Sequence, residues 1–455
     1  MRTITEPARR LALCEDHDVI VAGGGTAGIV AAVAAARNGA RVLLVERGGF
    51  LGGVIGTQLL EHSAGWFDAR GERIVGGLPE ELVERLQAAG ASPGHFSDDT
   101  GYTRFRVPVN HEEFKSVVTA WLDEAGIEVL LQSLVAGVLA HDGGRALLVE
   151  NKSGRSAHAA PVVVDATGDA DVAAQAGCHF LSEPGAETQP VSLLFKLGGV
   201  DHEPLIDYVE AHAEEFKLGV APAELRGREH VNLWGFGPWL AAAHQAGVLS
   251  LLRNELHWSG WTRTGEAVIN ASRVAADATR AEELSRAEVV LRRQVLEFLA
   301  FFRAYVPGCA NVHLAATAAS VGVRESRRLA GAYVLADADV RQGRRFADGV
   351  LRGGFPIDSH DSKGAGLDAA EAVPASYDIP YRCLVPETVD GILVAGRAIS
   401  AERRALASAR ISGTCMAMGQ AAGTAAAMAV ARGVTPRALE IGALRRTLEA
   451  QGAIL

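Results

Sequence analysis

The 455-residue chain holds five cysteines and no Cys-x-x-Cys pair; they stand apart at positions 14, 178, 309, 383 and 415. This argues against a disulfide framework, a zinc site or an iron–sulfur cluster held by a local motif, and makes a reducing, cytoplasmic compartment the simplest home. Basic runs longer than a few residues are also missing, and the formal charge is −10. A nucleic-acid partner is therefore not expected, because neutralising phosphates needs a Lys/Arg surface. The opening residues carry charges but no apolar h-region, so no leader is expected there. No stretch approaches the roughly 18 strongly apolar residues of a membrane span. Residues 409–430 come nearest, but they are built from Ala and Gly with Gln420 and Thr424 inside. No His-Glu-x-x-His, Gly-x-Ser-x-Gly or P-loop occurs, and no internal repeat or low-complexity linker stands out.

What is present is a long, apolar-rich chain. With 48% hydrophobic residues and roughly 150 residues per domain, two or three domains with a large core are expected. Residues 17–49 read as strand, glycine turn, helix, strand. Residues 80–90 and 111–126 read as amphipathic helices. From 127 the apolar/polar alternation and the turn signals at His141–Gly144 and Lys152–Gly154 predict a β-meander, followed by a buried strand in "PVVVDAT". The middle predicts a strand in "QPVSLLFKLGGV", aromatic-rich loops around "WGFGPWL" and "HWSGW", and a long helix over 279–304. A buried strand at 391–397, the small-residue helix and an amphipathic tail helix complete the pattern.

The sharpest motif is Gly23-x-Gly25-x-x-Gly28 between a strand and a helix. Gly23 suits the tight turn, Gly25 a close approach to a pyrophosphate, and Gly28 close helix–strand packing. Free N–H groups at the helix start favour phosphate. Glu46 ends the next strand, where an acid can take ribose hydroxyls. Further glycine-bearing strand ends follow in "ERGGFLGG", "DATGDAD" and "LVAGRAIS". They suit a long ligand threading a domain, which favours FAD over NAD.

These strings, together with "VGVRESRRLAGAYVL", "FPIDSHD", "YDIPYRCLVP" and "GTCMAMGQAAGTAAA", cover nearly the whole chain in order. In them the chain resembles the FAD-dependent oxidoreductases with a glutathione-reductase-type flavin domain. The resemblance implies that Gly23, Gly25, Thr26, Ala27 and Gly28 hold the pyrophosphate, and that Glu46 takes the adenosine ribose beside Arg47. It places Gly52 and Gly53 along the pyrophosphate or ribityl chain, and Val135 where backbone meets the adenine. Thr167, Gly168, Asp169, Gly396 and Arg397 are expected near the FAD. The helix containing Gly413, Thr414, Met418, Gly419 and Gln420 is expected to set its N-terminus and small side chains against the isoalloxazine, where its dipole stabilises reduced flavin. Its deeper glycines are expected to pack on the dinucleotide strand. The segment "VIGTQ" lacks the histidine by which some relatives hold FAD covalently, so noncovalent FAD is favoured.

The implied architecture is α/β: a Rossmann-like FAD domain, a parallel sheet with a β-meander, at 12–185 and 386–435. A mixed α+β substrate domain is inserted at 186–385, and 436–455 forms a C-terminal helix. Five residues are candidates for chemistry. Arg324 can anchor a substrate carboxylate bidentately. His360, expected in a loop with Asp358 and Asp361, can move a proton. Tyr381 and Arg382 can border the pocket, and His62 can approach the ring. The expected reaction is hydride transfer between FAD and a small polar organic substrate, with the electron acceptor and the oligomeric state, including a homo-oligomer, open. An FAD monooxygenase and an electron-carrying flavoprotein subunit are the rival readings.

Overall fold

The computed structural model describes residues 3–5, 7–181, 188–360 and 367–455. Strand β1 (Val19–Ala22) leads through the glycine turn into α1 (Thr26–Arg37) and β2 (Val42–Val45). A single turn, α2 (Gly53–Gly56), precedes α3 (Leu78–Ala88) and α4 (His111–Glu124). The start of α4 is fixed by Asn110, whose side chain accepts from the N–H groups of Glu112 and Glu113. The chain continues through β3 (Glu128–Leu130), the meander β4 (Leu134–His141), β5 (Gly144–Asn151) and β6 (Gly154–Ala160), and then β7 (Val162–Asp165).

The middle of the chain supplies β8 (Phe195–Gly198), β9 (His230–Gly235), β10 (Leu256–Trp261) and β11 (Glu266–Asn270). The long helix α5 (Ala281–Tyr305) and β12 (His313–Thr317) follow. After β13 (Ile357–His360) and β14 (Ile392–Val394) come α6 (Arg403–Ala409), α7 (Ser412–Arg432) and α8 (Ile441–Ala450).

Two five-stranded sheets organise these elements. The first, ordered β14-β7-β1-β2-β3, is parallel throughout. Its strands β1, β2 and β7 are buried on both faces, which is why they read as unbroken Val/Ile/Leu runs. The second, ordered β9-β10-β11-β8-β12, is antiparallel and packs on α5 through Phe195, Trp258, Phe298 and Phe302.

Several expectations shift. Trp234 lies in β9, and His257 to Trp261 lie in β10, rather than in loops. The strand expected over 189–200 narrows to β8, with Val191 and Ser192 making only isolated bridges. His360 ends a strand instead of lying in a loop, and Asp361 falls outside the described residues. Leu335, Val340, Val350, Leu351, Ile357, Tyr377, Ile379 and Val385 bury side chains in the core of the parallel sheet, although the sequence places them in the middle domain. The small residues of α7 approach α1 most closely while the helix also packs on strands of the parallel sheet: a Cβ on Gly419 would overlap the carbonyl oxygen of Ala27, and one on Gly423 that of Ala31.

Candidate active site

A cavity of about 670 Å³ runs between the two sheets, within the size range of ligand pockets. One end is made of glycine turns. Gly23 has φ +99°, and a Cβ there would stand 2.5 Å from the Ala166 carbonyl oxygen; a Cβ on Gly28 would overlap the Gly23 carbonyl oxygen. The fold itself thus requires both glycines. Gly25 differs, since the nearest atom to an added Cβ is the Gly53 Cα at 3.8 Å. Gly25 lines the cavity and is the N-cap of α1, with no side chain capping the helix N–H groups. An uncapped helix start facing open space fits a pyrophosphate.

Glu46 ties this end together, its two carboxylate oxygens accepting from the N–H of Gly24 and of Gly48, each at 2.6 Å. Thr26, Ala27, Arg47, Gly53, Thr167, Gly168, Gly396 and Arg397 also line the cavity. Gly52 does not line it; at φ +118° it turns the chain, its N–H donating to the Gly24 carbonyl at 2.9 Å. Asp169 lies behind the lining and pairs with Arg397 at 2.7 Å. Burial opposes its ionisation, but Arg397 and Ser326 hold its carboxyl below the usual range. Val135 is buried in the meander and does not line the cavity; its carbonyl accepts from Gln175.

Helix α7 reaches the cavity only with its first turn. Ile411, Ser412 and Cys415 line it, whereas Gly413, Thr414, Met418, Gly419 and Gln420 do not. The physical reason is packing. Gly413 donates its N–H to the Ala64 carbonyl at 3.0 Å, and a Cβ there would stand 2.8 Å from the same oxygen. Thr414 and Met418 are fully buried, Gly419 faces α1, and Gln420 accepts from the N–H of Leu78 at 3.0 Å. Cys415 donates to the Arg410 carbonyl at 3.2 Å, and burial pushes its thiol up to about 12, which leaves it inert.

The other end is basic and aromatic. Arg324 donates to the Pro190 carbonyl at 2.8 Å and to Ser192 Oγ at 2.6 Å. Burial, then repulsion from Arg273 and Arg410, pushes its guanidinium down to about 9. Arg273 donates to His360 Nδ1 at 3.0 Å, so that nitrogen accepts and Nε2 carries the proton, 3.4 Å from Asp358. Both ring nitrogens of His360 are engaged, and burial and Arg324 push it down to about 3. The imidazole is neutral and bridges Arg273 and Asp358. Arg410 in turn donates to the Asp358 carbonyl at 3.1 Å. Arg253 and Arg273, which lie in no motif, line the cavity together with Arg410, Tyr102, Trp234 and His257.

Tyr102 stands edge-on to Trp234 and Phe355, with ring centroids 5.0 and 5.6 Å away, and forms an aromatic wall. His62 and His257 face the same space with ring centroids 5.8 Å apart. Behind them a buried chain runs from His62 through Ser259 and Asn232 to Asp98 and the Arg106 guanidinium. Two expected pocket residues lie elsewhere. The Tyr381 hydroxyl donates to the Pro436 carbonyl at 2.9 Å, and Arg382 pairs with Asp348 at 2.8 Å; neither lines the cavity.

Residues 18–448 match the family described as "FAD dependent oxidoreductase". The chain is similar to the protein FixC of Salmonella typhi, at 33% identity over 140 residues, which is 28% of this chain and 31% of the length of that relative. Among solved structures it resembles a geranylgeranyl bacteriochlorophyll reductase-like protein from Thermoplasma acidophilum, at 13% identity and a TM-score of 0.49, over 97% of this chain and 85% of that one. It also resembles the p-nitrophenol 4-monooxygenase of Pseudomonas putida DLL-E4, at 12% identity and a TM-score of 0.48, over 97% and 87%. Among the described residues no helix is long and apolar enough to cross a membrane.

Proposed function

The chain belongs to the FAD-dependent oxidoreductase family, an enzyme family whose cofactor is FAD, and on that premise we propose that it transfers a hydride between a small polar organic substrate and noncovalently held FAD. The observation that carries this reading is one cavity with two chemically distinct ends. An uncapped helix start opens at Gly25, and a basic, aromatic-walled space lies opposite. When bound, FAD supplies the hydride acceptor or donor.

The chain's own residues do the rest. The N–H groups at the start of α1 hold the pyrophosphate, and Glu46, fixed by two backbone donors, presents its remaining lone pairs to ribose hydroxyls. Thr167, Gly168, Gly396 and Arg397 border the cofactor, and the first turn of α7 directs its positive end toward charge that grows on reduction. Arg324 orients the substrate, and the imidazoles of His62 and His257, kept neutral by burial, face it as hydrogen-bonding groups. The flavin domain comprises 12–185 and 386–435, of the glutathione-reductase type. The inserted part, 186–385, contributes the antiparallel sheet, and its last stretch returns to the flavin core.

Anaerobic mixing of the FAD-loaded protein with a panel of alcohols, amines and hydroxy acids tests this reading. Bleaching of the flavin by one class supports it. A colourless protein that cannot be reconstituted with FAD but binds NAD overturns it.

A further inference from the structure

The buried chain behind His62 fixes which of its ring nitrogens carries the hydrogen. It starts at Asp98, which stands 3.5 Å from Arg106 Nε and accepts from the Thr100 hydroxyl and from the N–H groups of Tyr102 and Thr103. Burial opposes ionisation, but Arg106 and these donors hold the carboxyl below its usual range, so Asp98 is a carboxylate and only accepts. The Asn232 amide lies 3.1 Å from it and must turn its NH2 toward Asp98 and its carbonyl oxygen away. That oxygen stands 3.2 Å from the Ser259 hydroxyl. Ser259 has one hydrogen and gives it to Asn232; turned elsewhere, it would leave two oxygen lone pairs facing each other. Toward His62 Nδ1, 3.5 Å away, the Ser259 oxygen can then only accept, so the ring hydrogen sits on Nδ1. Burial and the Arg106 charge keep the imidazole neutral, with a single hydrogen, which leaves a bare lone pair on Nε2. Asp98, Asn232 and Ser259 are buried, whereas His62 is half-buried and lines the cavity. Among the described residues no other hydrogen bond reaches its ring.

We infer that the substrate carries a hydroxyl or amino group whose hydrogen is accepted by His62 Nε2, and that Ser259, Asn232 and Asp98 are the positioning residues that keep this lone pair turned to the cavity. An ether or a bare methylene at the same place has no hydrogen to offer. A carbonyl oxygen would meet the lone pair with one of its own. A fixed acceptor therefore separates a donor-bearing compound from its ketone or ether even where size and shape agree. The chain also crosses between two parts of the molecule. His62, Asp98 and Arg106 precede the parallel strand β7, whereas Asn232 belongs to β9 and Ser259 to β10 of the antiparallel sheet. Docking that sheet thus sets the tautomer of His62 as well as the wall of the cavity.

This inference rests on the site proposed above, and its test separates the two. In FAD-loaded protein carrying histidine isotope-labelled at its ring nitrogens, the His62 signals are read by NMR at neutral pH and assigned by their loss in His62→Phe. Nδ1 is expected to carry the hydrogen and Nε2 none; the opposite tautomer, or an equal mixture, overturns the inference without any variant of the positioning residues. Calorimetry follows on FAD-loaded and FAD-free protein, kept anaerobic, with mandelate, phenylglycine, phenylglyoxylate and O-methylmandelate, while FAD content is read from absorbance. Mandelate or phenylglycine is expected to bind at least roughly tenfold more tightly than the ketone and the ether, and the tighter of the two tells hydroxyl from amine. Ser259→Ala removes one oxygen. It is expected to release both tautomers in the NMR spectrum and to cut the preference over phenylglyoxylate roughly tenfold, with FAD content unchanged. A ring that stays in one tautomer in Ser259→Ala, equal binding of the four probes, or no binding of either donor-bearing probe overturns the inference. Flavin bleached by a compound with neither O–H nor N–H overturns it too and keeps the flavin reading. Protein that takes up no FAD yet shows the preference overturns the flavin reading and keeps this one.

Discussion

The two ends of the cavity are built from different materials. The glycine end is backbone: turns at Gly23, Gly48, Gly168 and Gly396, held by main-chain N–H groups and the Glu46 carboxylate. The basic end is side chain: guanidinium and imidazole groups from distant parts of the chain, meeting only after folding. A site made of backbone needs particular residues for their lack of bulk, and it fails through sterics. A site made of side chains needs them for charge, and it fails through lost pairing.

Substitutions can break that contrast. The largest effect is expected at Gly28, where any Cβ overlaps the Gly23 carbonyl oxygen. Gly28→Val should abolish folding, seen as loss of soluble, helical protein by circular dichroism. Gly25→Leu should leave the apoprotein folded, since a Cβ there has room, yet remove FAD, because the bulk fills the phosphate space. Loss of fold in both variants would show that the two glycines are not distinct. At the other end, Arg324→Lys should keep FAD content and slow substrate-driven flavin reduction roughly 10²-fold, because an ammonium cannot reproduce the bidentate fork.

Acid sharpens the comparison. Burial pushes His62, His111 and His360 down to about 3 and His202 to about 4. Each takes up a proton near pH 6.5 when unfolded but only near 3–4 when folded. Their contribution to stability is therefore complete above about pH 6.5 and falls as pH drops toward 3–4, by about 1.4 kcal/mol per pH unit for each histidine. Urea midpoints should decline across that window, and His111→Phe should flatten the slope. Among the described residues no histidine lines the glycine end, so the FAD retained by the still-folded fraction should not follow the same curve. The smallest effect is expected at Cys415. Cys415→Ala should cost about 1 kcal/mol of stability and leave flavin reduction unchanged, as measured by stopped flow.

The same contrast decides what could be read from the chain beforehand. The parallel sheet, the meander, α5 and the turn at Gly23 to Gly28 were legible because their signals are local: apolar runs, turn residues and glycine spacing. The small residues of α7 announced a close approach but not its partner, which proved to be α1 for Gly419 and Gly423. Tyr381 and Arg382 sat in a recognisable string, but a string does not say which way a short 3-10 turn points its side chains. Arg253 and Arg273 lie in no motif at all. Their meaning comes only from their neighbours across the cavity, which no spacing in the sequence encodes.

The contact between α1 and α7 sets the cavity's dimensions. Because Gly419 and Gly423 let the two helices touch backbone to backbone, the start of α1 and the start of α7 belong to one stiff calliper whose gap cannot widen without breaking that contact. A bulkier or slimmer substrate must then be accommodated by the opposite jaw, the antiparallel sheet with its aromatic wall. Divergence in what such an enzyme accepts should accordingly accumulate in β9 and β10, while the calliper stays at one setting.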